Sequence, residues 1–138
     1  MKIICFIIAL SFFACAQSVS TELKNCQKVN PTTQGCLECF NIATSQWDSV
    51  LNIAYKELRN KLAPPLQEKL KLSQTAWLSF RDKEISFLND AFAYNQKTTG
   101  SEVQLYRSEY VMNLTKDRVL LLQEYLKGIK DISEDGSP

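Results

Sequence analysis

The chain has 138 residues, with 16 lysines and arginines against 15 aspartates and glutamates, which gives a formal net charge of +1 at pH 7. A charge so close to zero creates no global field that would recruit nucleic acid or anionic lipid. The chain has no histidine, so it lacks the commonest general base and the commonest neutral metal ligand at neutral pH. Composition thus disfavours a nucleic-acid-binding protein and an enzyme with a histidine-activated nucleophile.

The first residues have the order of a secretory signal peptide. Lys2 is followed by an apolar run over residues 3–13 and by small residues at positions 14–16. The run is too short to cross a hydrocarbon core, which needs roughly 20 helical residues. We therefore predict that residues 1–16 are a cleaved signal peptide and that the protein is periplasmic or secreted, with no transmembrane segment in the mature chain. Lipidation at Cys15 is the alternative.

The cysteines that remain after cleavage are Cys26, Cys36 and Cys39. An oxidising compartment favours one bridge among them and leaves one thiol over, without deciding which pair forms. The C-x-x-C spacing of Cys36 and Cys39 also occurs in redox and zinc sites, but no predicted strand surrounds it and no further thiol or imidazole follows it. We therefore predict a structural bridge, with no metal and no cofactor.

Residues 17–30 are polar, and we predict that they form an extended lead-in which a disulfide pins to the domain. The first helix is predicted to begin after Pro31, with Thr32 or Thr33 as its cap. Its apolar side chains recur every three or four residues, as in an amphipathic helix: Leu37, Phe40, Ala43, Trp47, Val50, Leu51, Ala54, Tyr55, Leu58 and Leu62. The prolines at positions 64 and 65 end this helix, because proline lacks an amide donor and disfavours a helical conformation in the preceding residue.

The second predicted helix has an apolar face that only Ser73 and Glu84 interrupt. Its apolar members are Leu66, Leu70, Trp77, Phe80, Phe87, Leu88, Ala91 and Tyr94. A break follows at residues 97–101, where glycine and hydroxyl side chains suit a turn and the start of a helix.

The third predicted helix runs to about Lys130. Its apolar members are Val103, Tyr106, Tyr110, Leu114, Leu121, Leu122, Tyr125 and Ile129. Three long amphipathic helices joined by short loops pack side by side around one core. We therefore predict a single all-α domain over residues 17–132, an antiparallel three-helix bundle, followed by a flexible tail at residues 133–138.

A polar layer is predicted inside this bundle. Folding the chain at the two prolines brings residue i of the first helix opposite a residue of about 129 minus i on the second, because both helices rise equally per residue. This places Asp48 opposite Arg81, Asn52 opposite Trp77 and Tyr55 opposite Gln74, and the second turn brings Arg118 to the same level. These side chains form either a binding surface, with arginines and an indole as anchors, or a structural network that fixes the register of the helices.

Motifs along the three helices resemble a known family. They are Cys39 followed by Trp47-Asp48-x-x-Leu51-Asn52-x-x-Tyr55-x-x-Leu58, then Leu70-x-x-Ser73-Gln74-x-x-Trp77-Leu78-x-Phe80-Arg81-Asp82, and Leu114-Thr115-x-x-Arg118-x-x-x-Leu122. With these motifs, residues 26–125 resemble bacterial exported proteins related to the LprI-type lysozyme inhibitors. The resemblance implies a helical domain with a Cys26–Cys39 bridge and Cys36 as the odd thiol. Members usually carry a second cysteine pair, which this chain lacks.

The resemblance also implies a function, namely inhibition of a lysozyme or another peptidoglycan hydrolase by a protein that covers or plugs the enzyme cleft without catalysing a reaction. The alternative is an envelope interaction or scaffold module, or an immunity protein, with a different protein partner. An exposed acidic or aromatic loop at residues 95–101 would favour inhibition. A broad apolar strip on one helix would favour a scaffold or a dimer, and the sequence leaves the oligomeric state open.

Overall fold

The computed structural model describes residues 4–94 and 100–135. These residues form four α-helices and no strand: α1 (Ile4–Val29), α2 (Thr33–Lys61), α3 (Pro64–Tyr94) and α4 (Ser101–Asp135). The predicted all-α class is therefore confirmed. The predicted count of three helices is wrong for the described part of the chain, because the segment expected to be extended lies within α1.

The segment that follows the predicted signal peptide is helical as far as Val29. Val19, Leu23 and Cys26 are spaced four and three residues apart, so they lie on one face of a helix. Val19 is buried in the core and Leu23 packs against it. The polar residues that suggested an extended lead-in lie mostly on the solvent side of this helix, where they stay hydrated and carry little free-energy penalty.

A disulfide between Cys26 and Cys39 joins α1 to α2, with 5.7 Å between the two Cα atoms. It confirms the pairing that the family resemblance implies, and it leaves Cys36 as a free thiol. Closing a loop of this size restricts the unfolded chain and contributes about 3 kcal/mol to stability. The N-terminal segment is thus pinned by a bridge as predicted, but as a helix.

The core of the molecule is centred on α2, which packs mainly against α4 and then against α1. Trp47 is 1% exposed and Val119 of α4 is completely buried. The other buried members of this core are Ala16, Val19, Phe40, Ala43, Val50, Leu51, Ala54, Leu58, Leu70, Met112 and Leu122. The predicted apolar face of the first amphipathic helix is therefore the one that α1 and α4 cover.

The third helix packs more loosely than predicted. It begins at Pro64 after a short break in which the Leu62 amide donates to the Arg59 carbonyl, and proline is favoured in such a first turn. The predicted burial of its whole apolar face is wrong, because Leu66, Phe80, Phe87 and Tyr94 are between 47% and 93% exposed. Of the described α3 residues only Leu70, Gln74 and Leu88 are buried, since α1 and α4 already cover the apolar face of α2.

The fourth helix extends past the predicted end at Lys130 and continues to Asp135. The final residues of the predicted tail, 136–138, lie outside the described part of the chain, as do residues 95–99 of the predicted loop. No helix within the described residues is long and apolar enough to span a membrane.

Candidate functional site

An ion pair links α2 and α3 between the two residues that were predicted to lie opposite each other, Asp48 and Arg81. Arg81 Nη1 donates to Asp48 Oδ1 at 3.0 Å, and Arg81 Nε and Nη2 both donate to Asp82 Oδ1 at 3.3 Å. The side chain of Arg81 is 21% exposed and that of Asp48 is 47% exposed. A pair so open to solvent contributes only about 0–1 kcal/mol to stability. Its larger effect is to hold the guanidinium in one orientation.

A second polar cluster lies between α3 and α4. Arg118 is only 7% exposed; its Nε donates to Gln74 Oε1 at 3.0 Å and its Nη2 donates to Ser73 Oγ at 3.2 Å. The guanidinium groups of Arg118 and Arg81 lie 5.7 Å and 5.3 Å from the ring centroid of Trp77, within the range of cation–π attraction. This cluster, the Trp77 joint, fixes α3 against the core through long side chains.

Burial lowers the pKa of Arg118, and the nearby Tyr125 raises it in partial opposition. An arginine pKa lies so high that the guanidinium remains charged at any ordinary pH. The buried positive charge of Arg118 is therefore stabilised by neutral hydrogen-bond acceptors and by the indole ring of Trp77. Loss of one of these partners would leave part of the guanidinium buried and unsatisfied, which would destabilise the fold. These contacts hold the side chains of Arg118 and Gln74 between α3 and α4.

A groove of about 510 Å³ runs between α2 and α3, next to the joint. It is lined by Asp48, Leu51, Asn52, Tyr55, Lys71, Gln74, Thr75, Leu78 and Arg81. Lys71 and Arg81 stand near its two ends, so its length is about 15 Å at the rise of an α-helix. The groove is open to solvent and offers charged, amide, hydroxyl and aromatic groups along one face of α2 and one of α3.

The structure divides the predicted polar layer into two sites. Asp48, Asn52, Tyr55, Gln74 and Arg81 line the groove, whereas Trp77 and Arg118 form the joint, which Gln74 and Arg81 also contact. Trp77 turns towards the arginines, not towards the predicted partner Asn52.

Sequence reasoning missed four of the nine groove residues. Leu51 was assigned only to the apolar face of its helix. Lys71, Thr75 and Leu78 are spaced four and three residues apart, which marks one face of α3, but they lie off the apolar face on which the prediction of this helix was based. Ser73 was visible as a polar interruption of the apolar face, and the structure gives it a partner in Arg118. Within the described residues no three histidine, cysteine, aspartate or glutamate side chains are grouped so as to hold a metal ion.

Comparison with known protein families identifies a match over most of the chain. A family model described as lysozyme inhibitor LprI matches residues 24–122, a range that includes the disulfide, the groove and the joint. The comparison with curated proteins found no match, and neither did the comparison with solved structures.

Proposed function

The chain belongs to the LprI family of lysozyme inhibitors, and we propose that it inhibits a lysozyme-type cell-wall hydrolase by binding to it. The observation that carries this proposal is the extent of the family match, which spans the Cys26–Cys39 bridge, the groove and the Trp77 joint together. The chain has no histidine, which agrees with a stoichiometric inhibitor that catalyses no reaction of its own.

We propose that the groove between α2 and α3 contacts the hydrolase. Asn52, Lys71 and Thr75 are exposed along it, and Tyr55 is half-buried. Tyrosine and arginine are the residue types that most often dominate protein interfaces. Arg81 is already oriented by Asp48, so less side-chain freedom is lost when a partner binds. The Trp77 joint supports this surface from behind.

Export is part of the same proposal. Removal of residues 1–16 would shorten α1 to residues 17–29 and take Ala16 out of the core. The remaining part of α1 keeps the bridge at Cys26, the core contacts of Val19 and Leu23, and a hydrogen bond from Gln46 Nε2 to Glu22 Oε2. In the exported chain, residues 17–29 would therefore stay packed on α2 in the periplasm or outside the cell. Lipidation at Cys15 is the alternative form of export.

The test is a titration of purified residues 17–138 against several types of lysozyme in a cell-wall lysis assay. We expect inhibition of at least one type that saturates near one inhibitor per enzyme. If the folded protein inhibits none of them, the inhibitor proposal fails. The alternative function, an envelope interaction or scaffold module or an immunity protein, would then be favoured by the exposed apolar side chains of α3.

A further inference from the structure

A stripe of exposed aromatic side chains follows α3 on the side away from the groove. Phe80, Phe87 and Tyr94 are spaced seven residues apart, and they are 50%, 63% and 93% exposed. Seven residues are almost two helical turns, so the three side chains lie along one line of the helix. Leu78 of the groove is nine residues from Phe87, which is half a turn out of phase. The stripe and the groove are therefore separate surfaces.

Two opposite charges flank this stripe. Lys83 and Asp90 are also seven residues apart, and both are exposed. Neither takes part in an ion pair among the described residues. They share one flank of the stripe, because their spacing repeats the spacing of the aromatic residues.

A second copy of the chain complements this pattern. Two α3 helices can pair antiparallel about a two-fold axis that passes between residues 86 and 87 and is perpendicular to the plane of the two helices. Rotation about this axis leaves the flank of Lys83 and Asp90 on the same side of the pair in both copies. Lys83 then lies opposite Asp90 of the second copy, and Asp90 opposite its Lys83. Phe87 meets the second Phe87 at the centre, and Phe80 comes level with Tyr94 of the second copy.

The charges also discriminate between registers. An axis halfway between Phe80 and Phe87 would pair these two aromatic residues equally well, but it would bring the two Lys83 side chains together. Like charges placed opposite each other at an interface are unfavourable. The arrangement centred at residues 86–87 replaces that repulsion with two symmetric ion pairs.

The exposed apolar area suits a weak, reversible contact. Aromatic side chains bury about 150–250 Å² each, so the exposed parts of the three stripe aromatics amount to roughly 400 Å² per copy. This is about half of the roughly 800 Å² per partner of a standard-size interface. We therefore expect a dimer that forms at micromolar concentrations and dissociates on dilution.

We propose that the aromatic stripe of α3 (Phe80, Phe87 and Tyr94, flanked by Lys83 and Asp90) binds a second copy of this chain in an antiparallel, two-fold dimer. Both grooves stay open in this dimer, because each lies on the opposite side of its α3. The dimer would thus present two copies of the proposed inhibitory surface. Dimerisation does not depend on lysozyme inhibition, and the two are measured separately.

The test is analytical ultracentrifugation of residues 17–138 over a range of micromolar concentrations. We expect a monomer–dimer equilibrium that Phe87→Glu abolishes. Lys83→Glu or Asp90→Lys alone should each weaken dimerisation about tenfold, because each replaces both ion pairs with like-charge contacts. The double variant should restore it. An equimolar mixture of the two single variants should also associate, since one chain then carries acidic groups at both flanking positions and the other carries lysines at both.

Each contrary outcome overturns the dimer. A wild-type chain that is monomeric at all concentrations contradicts it, and so does a dimer that Phe87→Glu leaves intact while circular dichroism shows a native helix content. Failure of the double variant and of the mixture to restore association rejects the antiparallel register. If Phe87→Glu loses lysozyme inhibition while the wild type is monomeric, the stripe contacts the hydrolase and not a second copy.

Discussion

Gly35 lies in the first turn of α2, where the chain turns back from α1. A Cβ atom at this position would come within 2.7 Å of Asn30 Cβ and 2.8 Å of the Asn30 carbonyl oxygen. Thr32 caps the helix here, since its Oγ1 accepts a hydrogen bond from the Gly35 amide at 3.1 Å. The turn is therefore closed tightly around a residue without a side chain.

Replacing Gly35 with alanine should lower the free energy of unfolding by about 1–3 kcal/mol, because the backbone at Asn30 must move and the Thr32 cap is strained. Gly128 is the matched control: it lies inside α4, and a Cβ atom added there would have no neighbouring atom within 4 Å. Gly128→Ala should instead stabilise by about 0.5–1 kcal/mol through helix propensity. Urea denaturation of both variants checks this, and equal effects would contradict it.

At the same scale, the sequence was sufficient to pair Asp48 with Arg81 and to bring Arg118 to the level of Trp77, because equal rise along two helices fixes which residues share a height. Height alone does not fix rotation. Trp77 points towards α4 and not towards Asn52, since the buried guanidinium of Arg118 needs its ring as a partner. The orientation of Trp77 therefore depends on α2, α3 and α4 together, whereas the residue heights were compared for two helices at a time.

Among the helices, α1 is held to α2 by an exposed polar contact as well as by the disulfide. The Ser18 hydroxyl and the Gln46 amide both donate to the carboxylate of Glu22, and these bonds hold its pKa below the ordinary value of 4.5. A carboxylate with a depressed pKa in the folded state stabilises the fold above the unfolded pKa. That stabilisation is lost as the pH falls through the folded pKa.

Glu22→Gln should therefore melt at a lower temperature than the wild type near pH 6, and the difference should shrink as the pH is lowered to about 3. Gln46→Leu removes one hydrogen-bond donor from the same carboxylate. In a Gln46→Leu background, Glu22→Gln should therefore lower the melting temperature less at pH 6 than it does in the wild type. Thermal melts followed by circular dichroism measure both. A gap between wild type and Glu22→Gln that stays constant from pH 6 to pH 3 would contradict the role of this contact.

The helices also show where periodicity stops being informative. It identified α2, α3 and α4 and placed the breaks at the prolines and before Ser101, because apolar spacing and proline chemistry are local properties. It missed the helical character of residues 17–29, where few apolar residues define the face. It also assigned Phe80 and Phe87 to the core, since a pattern shows that a helix has an apolar face and not what covers it.

In the whole molecule, the central helix α2 has one face in the core that stabilises the fold and another face on the groove that is open to solvent. Its apolar face is covered by α1 and α4, while α3 is held at a distance by Arg81, Trp77 and Arg118. The gap between α2 and α3 is the groove. A tighter three-helix bundle, as the sequence suggested, would have filled this space with side chains and left no concave surface.

The groove between α2 and α3 is the surface by which we propose that this member of the LprI family inhibits a lysozyme. The most direct measurement compares the inhibition constants of Asn52→Arg and Asn25→Arg against a lysozyme that the wild type inhibits. Asn52 is exposed in the groove, whereas Asn25 is an exposed asparagine of α1 outside it. We expect Asn52→Arg to weaken inhibition by about 10-fold or more, as for a central interface residue, and Asn25→Arg to leave it unchanged. Equal inhibition by the two variants would contradict the role of the groove.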